Sequence, residues 1–188
     1  MASRIASFRQ HKDEYFADGD HSPIPEEELE GFTGLDYFDE NPELAFELTI
    51  DEDAPGTDTR IVLDTSDGET IEFLRAGRIT FVVGETAVSL TVLKDLDRGR
   101  YFLPFTDKTT GDTTYEGGRY LDPQMNRSGL LSVDFNYAYN PYCAYGDGWS
   151  CPIPPRENVI PARIEAGELE FPNRVSIFAE DHDHHHHH

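Results

Sequence analysis

The sequence predicts a mainly β fold: a curled antiparallel meander, open-barrel or sandwich-like, with an N-terminal helix and a strap rich in proline and aromatic residues. Three observations predict it. Near residue 45 the hydrophobic period changes from three or four residues to two. Short turn signals then recur between the period-two runs, as in sheets that curl or close on themselves. Finally, residues 139–158 lose all periodicity, yet they hold Pro141, Pro152, Pro154, Pro155, three tyrosines and the single tryptophan.

The elements follow in order. Ile5, Phe8, Lys12 and Tyr15/Phe16 recur at helical spacing behind Ser3, a good N-cap, so the spacing predicts a helix over 3–17 that Gly19 stops. "HSPIPEEELEGF" is a connector with one helical turn from Pro25 to Leu29, its acids at the N-terminal end where they suit the helix dipole. Phe32, Leu35, Tyr37 and Phe38 supply ring and aliphatic area that staples the helix to a sheet. "FELTI", "RIVLD", "TIEFLR", "ITFVV", "AVSLTVL" and "RYFLPF" read as six strands. They are joined by the acidic loop 51–58, the Asp67-Gly68 hairpin signal, "AGR", Gly84-Glu85 and "DLDRG". In "LLSVDFNY", alternation puts Leu131, Val133 and Phe135 on the core face and Asp134 and Asn136 on the other. Asn140-Pro141 then turns the chain into the strap, and "VIPARIEAGELEF" supplies one or two closing strands. Residues 1–180 read as one domain, and the His-rich segment 181–188 as a disordered tail or a tag.

Charge bounds the function. Asp and Glu total 37 against 15 Lys plus Arg, a formal net charge of −22, and the acids are spread along the whole chain. The aromatic and β-branched content argues against a disordered acidic chain. A high-salt cytoplasm fits better, because at 1 M salt self-repulsion is screened over about 3 Å. Nucleic acid is excluded as a partner, since binding phosphate needs a basic stripe. A membrane span is excluded too, since no run of eighteen apolar residues occurs. The N-terminal stretch is too polar for a signal peptide, which makes the cytoplasm the expected address.

Chemistry concentrates between residues 102 and 168. Asp107, Thr109 and Thr110 sit in a turn where such side chains satisfy their own backbone. Gly117-Gly118 permits close backbone approach before Arg119 in the strand-like "GRYL". An inward Arg119 needs a carboxylate, and Asp107, Asp122 and Asp134 are the candidates. Apart from the C-terminal segment the only histidines are His11 and His21, which excludes a Ser-His-Asp triad and a four-ligand zinc site. Asp51 and Asp53 lack the further alternating ligands and distal Glu of a calcium loop, so no metal is expected. No cofactor fingerprint occurs either. Cys143 and Cys151 serve as structural thiols, bridged or packed free under Trp149.

"LPFTDKTTGDTTYEGGRYLD", "DFNYAYNPYCAYGDGWSCPIPPREN" and "IEAGE" resemble the signature of domain of unknown function family 1684, uncharacterised bacterial and haloarchaeal proteins. "FRQHKDEYF", "SPIP" and "FTGLDYF" resemble its short form. The resemblance carries no activity with it.

Three functional readings follow. In the first, a small polar ligand occupies a polar and aromatic pocket around Arg119. Its binding residues are Asp107, Thr110, Tyr115 and Arg119 on one segment and Asp134, Asn136, Tyr139 and Asn140 on the other. In the second, Asp107 and Asp134, or either with Glu165, act as the carboxylate pair of a hydrolase. In the third, the same groups form a buried polar network that pins the strap to the sheet.

Overall fold

The computed structural model describes residues 3–171. Helix α1 spans Arg4–Ala17, and Ser3 caps it by accepting a hydrogen bond from the Ala6 N–H at 3.1 Å. A single turn, α2, follows at Glu26–Leu29. The rest is antiparallel sheet and short turns. No described helix is long and apolar enough to cross a membrane.

Among the described residues, eight strands make two sheets. Strands β1 (Ala45–Leu48), β7 (Gln124–Met125) and β8 (Leu131–Asp134) form the smaller sheet in the order β1-β8-β7. Strands β2 (Arg60–Asp64), β3 (Thr70–Val83), β4 (Thr86–Asp95), β5 (Tyr101–Phe105) and β6 (Arg119–Leu121) form the larger in sequence order. This second sheet is the expected curled meander. Asp67-Gly68 and Gly84-Glu85 make its turns, with Gly68 and Gly84 at positive φ.

One expected turn is not a turn. "AGR" lies inside β3, which runs unbroken for fourteen residues with a bulge between Arg75 and Gly77. The bulge switches the buried face of β3. Phe73 packs with Ile61, Leu63 and Leu93, whereas Ala76, Ile79 and Phe81 enter the main core. Gly77 is required because Ile50-Asp51 crosses β3 there: a Cβ on Gly77 would stand 2.7 Å from the Asp51 carbonyl oxygen. Asp51 and Arg78 exchange backbone hydrogen bonds of 2.8 and 3.1 Å, joining the end of β1 to the larger sheet.

The main core lies between the sheets. Ile79, Leu90, Val92, Leu103, Phe105, Leu131, Val133 and Phe135 are wholly buried in it. Full burial of each such side chain contributes about 1.5–3 kcal/mol. A second cluster of Phe16, Ile24, Leu35, Ala144, Tyr145 and Phe171 fastens α1 to the strap. The expected stapling thus has a different partner: Leu35, with Phe32 and Tyr37 at the edge, packs the helix against the strap and not against a sheet, and Phe38 is not in the cluster.

The chain after the strap makes isolated bridges instead of the expected closing strands. Val159 bridges Thr106 in parallel, and Glu168 bridges Tyr37. Pro161 lacks an N–H that a longer ladder would use, and the Ile164 N–H goes to the Asp107 carboxylate instead. The segment 181–188, read as a tail, and residues 172–180 lie outside the described residues.

Candidate functional site

Just before β6 stands Gly118 at φ +88°, where a Cβ would lie 2.7 Å from the Phe105 carbonyl oxygen. That close approach sets Arg119 opposite Phe105 in the β5–β6 register and turns its side chain into the protein. The guanidinium is fully enclosed. Nη1 donates to the Ala166 carbonyl and, at 3.3 Å, to that of Glu168; Nη2 donates to the Ile164 carbonyl at 2.9 Å. The Asp107 carboxylate lies 3.6 Å from Nη2, and neither side chain has solvent exposure. The Phe105 ring lies 5.3 Å from the guanidinium carbon. Burial lowers the basicity of Arg119, opposed by the negative charges of Asp107 and Glu168.

Asp107 is saturated by its own turn. It accepts from the Thr109 hydroxyl at 2.9 Å, from the Thr110 hydroxyl at 3.1 Å and from the Ile164 N–H at 2.6 Å. The expected pocket around Arg119 is therefore filled by the chain's own residues 164–168. Their carbonyls take the place a ligand carboxylate or amide would have had, and Asp107, Thr110 and Arg119 form a closed frame.

The other candidates lie apart from this frame, in four separate sets of contacts. The Asn136 amide pairs with the Asn41 backbone, accepting from its N–H at 2.8 Å and donating to its carbonyl at 2.9 Å. Asp134 caps the turn that carries it by accepting from the Asn136 N–H at 2.9 Å. Asn140 donates through its side chain to the Leu169 carbonyl at 3.0 Å. Tyr115 reaches the Cys143 sulfur at 3.4 Å. Tyr139 points the other way and donates to the Asp122 carboxylate at 2.7 Å. Asp107 and Asp134 share no partner, and Glu165 is exposed and paired with Arg163 at 3.0 Å, so the hydrolase carboxylates do not converge.

Sequence reasoning missed Glu168, which is 2% exposed. It accepts from the Lys12 ammonium, from the Tyr145 hydroxyl and, at 3.3 Å, from the Asn140 N–H. The signal was available: Lys12 stands on the apolar stripe of α1, where a cation needs a buried anion. Lys12→Met should cost about 3 kcal/mol by leaving Glu168 without its counter-ion. The melting temperature of the variant checks this, with Glu168→Gln expected to recover part of the loss in the double variant.

Open space lies on the far side of Tyr139. A cleft of about 730 Å³ is walled by Phe73, Phe102, Tyr101 and Met125, with Asp122 and Tyr139 at its polar end. Phe73 and Phe102 stack there at 5.2 Å. A neighbouring cleft of about 580 Å³ shares Asp122, Met125 and Tyr139 and adds Phe8, Asp134 and Tyr137. Burial and the adjacent Asp122 carboxylate raise the Tyr139 phenol well above its ordinary value, so it remains a donor and fixes the orientation of Asp122. Asp122 had entered the sequence reading only as a partner for Arg119. Among the described residues no His/Cys/Asp/Glu group could hold a metal ion.

Residues 30–169 match the family model described as "Protein of unknown function (DUF1684)". The chain is also similar to the solution NMR structure of an uncharacterised protein of Haloarcula marismortui. The two are 38% identical with a TM-score of 0.63, over 87% of this chain and 90% of that one. No curated protein matches the chain.

Proposed function

The chain belongs to the DUF1684 family of proteins of unknown function, and on that premise we propose that it is a small-molecule-binding β domain whose ligand sits in the aromatic cleft beside Tyr139. The observation that carries the reading is the cleft itself. Its volume of about 730 Å³ falls in the range of small-molecule sites, and apolar rings there meet the Tyr139–Asp122 pair, with Asp95, Arg100 and Gln124 also in the lining. The Tyr139 hydroxyl occupies one side of the Asp122 carboxylate and leaves lone pairs for a ligand donor. Asp95 on the rim is already engaged by the N–H groups of Arg98, Gly99 and Arg100. These features favour an uncharged ring-bearing molecule with hydroxyl or amide donors: the ring lies on Phe102 and Tyr101, and a donor meets Asp122. The closed Arg119 network holds β5 and β6, and with them the walls of the cleft.

The acidic composition supports a high-salt cytoplasm as the setting, and a net charge of −22 disfavours nucleic acid and anionic membrane surfaces as partners. The reading is tested by NMR-detected screening of monosaccharides, nucleosides and aromatic amides in molar KCl. A binder should shift amides at 100–102, 122, 124, 125 and 139 together. Tyr139→Phe should weaken that binder about tenfold, or ~1.4 kcal/mol. Shifts confined to other regions, or silence from all three classes, would overturn it.

A further inference from the structure

We propose that Cys143 and Cys151 form a reversible dithiol–disulfide couple, in which Cys143 is the attacking thiol and Cys151 the resolving thiol. Three placements point to it. Both cysteines are free, Cys143 partly exposed on a turn and Cys151 buried. The flanks of their loop are closed on each other: the Tyr142 ring, one residue before Cys143, meets the Trp149 ring at 5.0 Å. Ser66 fixes the far side by accepting from the Cys151 N–H at 3.0 Å and donating its own N–H to the Cys151 carbonyl at 2.9 Å. Between these clamps the two thiols are close enough to act on each other's protonation.

The roles differ because the surroundings differ. Hydrogen bonds from Cys151, Tyr115 and Ser66 hold the Cys143 thiol down to about 6, against the opposing effect of its burial. Its Tyr115 contact is 3.4 Å. The hydrogen bond to Cys143, with burial, drives the Cys151 thiol up. Cys143 is thus the thiolate of the pair and the one solvent can reach, as an attacking thiol must be.

The co-reactant is a low-molecular-weight disulfide, RSSR. The Cys143 thiolate attacks one sulfur, the S–S bond breaks, and RS⁻ leaves and takes a proton from water. The Cys151 thiol, losing its proton to solvent, then attacks the Cys143 sulfur of the mixed disulfide and expels the second RS⁻. Two protein thiols are oxidised and one RSSR becomes two RSH. Bond formation brings the two sulfurs to about 2.05 Å. The exposed residues 147–150 can absorb that shift. The product covalently closes the strap beside Ser66, and a thiol-reducing cytoplasm reopens it.

The test uses the intact chain, prepared reduced. Brief iodoacetamide treatment at neutral pH, read by peptide mass spectrometry, should label Cys143 at least ~10-fold faster than Cys151. Glutathione disulfide should convert the wild type to an intramolecular disulfide without a lasting adduct, and dithiothreitol should reverse it. Cys151→Ser should stop at a glutathione adduct on Cys143. Equal labelling of both thiols, a preference for Cys151, or a stable mixed disulfide on the folded wild type would each overturn the proposal. The labelling arm needs no variant, so a Cys151→Ser chain that fails to fold does not rescue it.

Discussion

Arg119→Met should lower stability by about 5 kcal/mol, enough to remove most of the margin of an ordinary domain. The substitution keeps much of the side-chain volume, so the loss does not come from a cavity. It comes from what the guanidinium leaves behind: the carbonyls of Ile164, Ala166 and Glu168, and the Asp107 carboxylate, all in the interior. Each buried acceptor without a donor costs about 1–3 kcal/mol. Arg119→Lys should recover little of this, because one ammonium cannot reproduce the fork that spans three carbonyls. Salt separates this effect from surface electrostatics. The pair is shut off from solvent, so urea midpoints measured from low to molar KCl should show a nearly constant deficit, whereas exposed pairs such as Arg163–Glu165 should be screened away. A deficit within ~1 kcal/mol of wild type, or one that vanishes in salt, would refute the closed-frame account.

Local signals were the legible part of the fold. Ser3 capping, the Asp67-Gly68 hairpin and the burial of Leu131, Val133 and Phe135 all follow from residue type and period, and all three are present. "AGR" was misread because a glycine between two alternating runs has the same signature in a turn and in a bulge. What decides it is Ile50-Asp51 crossing β3, a contact between segments far apart in the chain. The closing segment fails in the same way. "VIPARIEAGELEF" alternates like a strand, but its hydrogen-bonding capacity goes to side chains. The Ile164 N–H serves Asp107, and the carbonyls of Ile164 and Ala166 serve Arg119. An inward arginine beside one of Asp107, Asp122 and Asp134 could be foreseen from Gly118 and the strand pattern. That three backbone carbonyls would enclose it could not, because backbone acceptors carry no sequence label. Hence Asp107, Thr110 and Arg119 were legible as a group, whereas the scatter of the other candidates and the closure of the frame were not.

Asn158→Leu should cost about 4 kcal/mol and open the larger sheet at one seam. β4 and β5 pair only at Leu93–Phe102 and Lys94–Tyr101, and beyond that point they diverge. Pro104 lies in the diverging part, where it has no N–H to offer a neighbour. The Asn158 amide fills the gap. Its oxygen accepts from the Thr91 N–H at 2.8 Å, and its nitrogen donates to the carbonyls of Thr91 at 2.9 Å and Pro104 at 3.0 Å. One wholly buried side chain thus substitutes for the missing rungs. Its own backbone carbonyl accepts from the Thr106 N–H at 3.1 Å, tying the strap to the end of β5. Leucine matches the volume and supplies none of these bonds. Aspartate keeps the acceptor for Thr91 but turns a second oxygen toward two carbonyls, so Asn158→Asp should be at least as damaging. Hydrogen exchange distinguishes this from general destabilisation. The Thr91 and Thr106 amides should lose protection first, while the Ile79 and Leu90 amides exchange only with global unfolding. If Thr91 stays as protected as Leu90 in Asn158→Leu, the two strands close without the amide, and the strap's hold on the sheet must come from the prolines and from Glu157, whose carboxylate meets Arg75 at 3.0 Å.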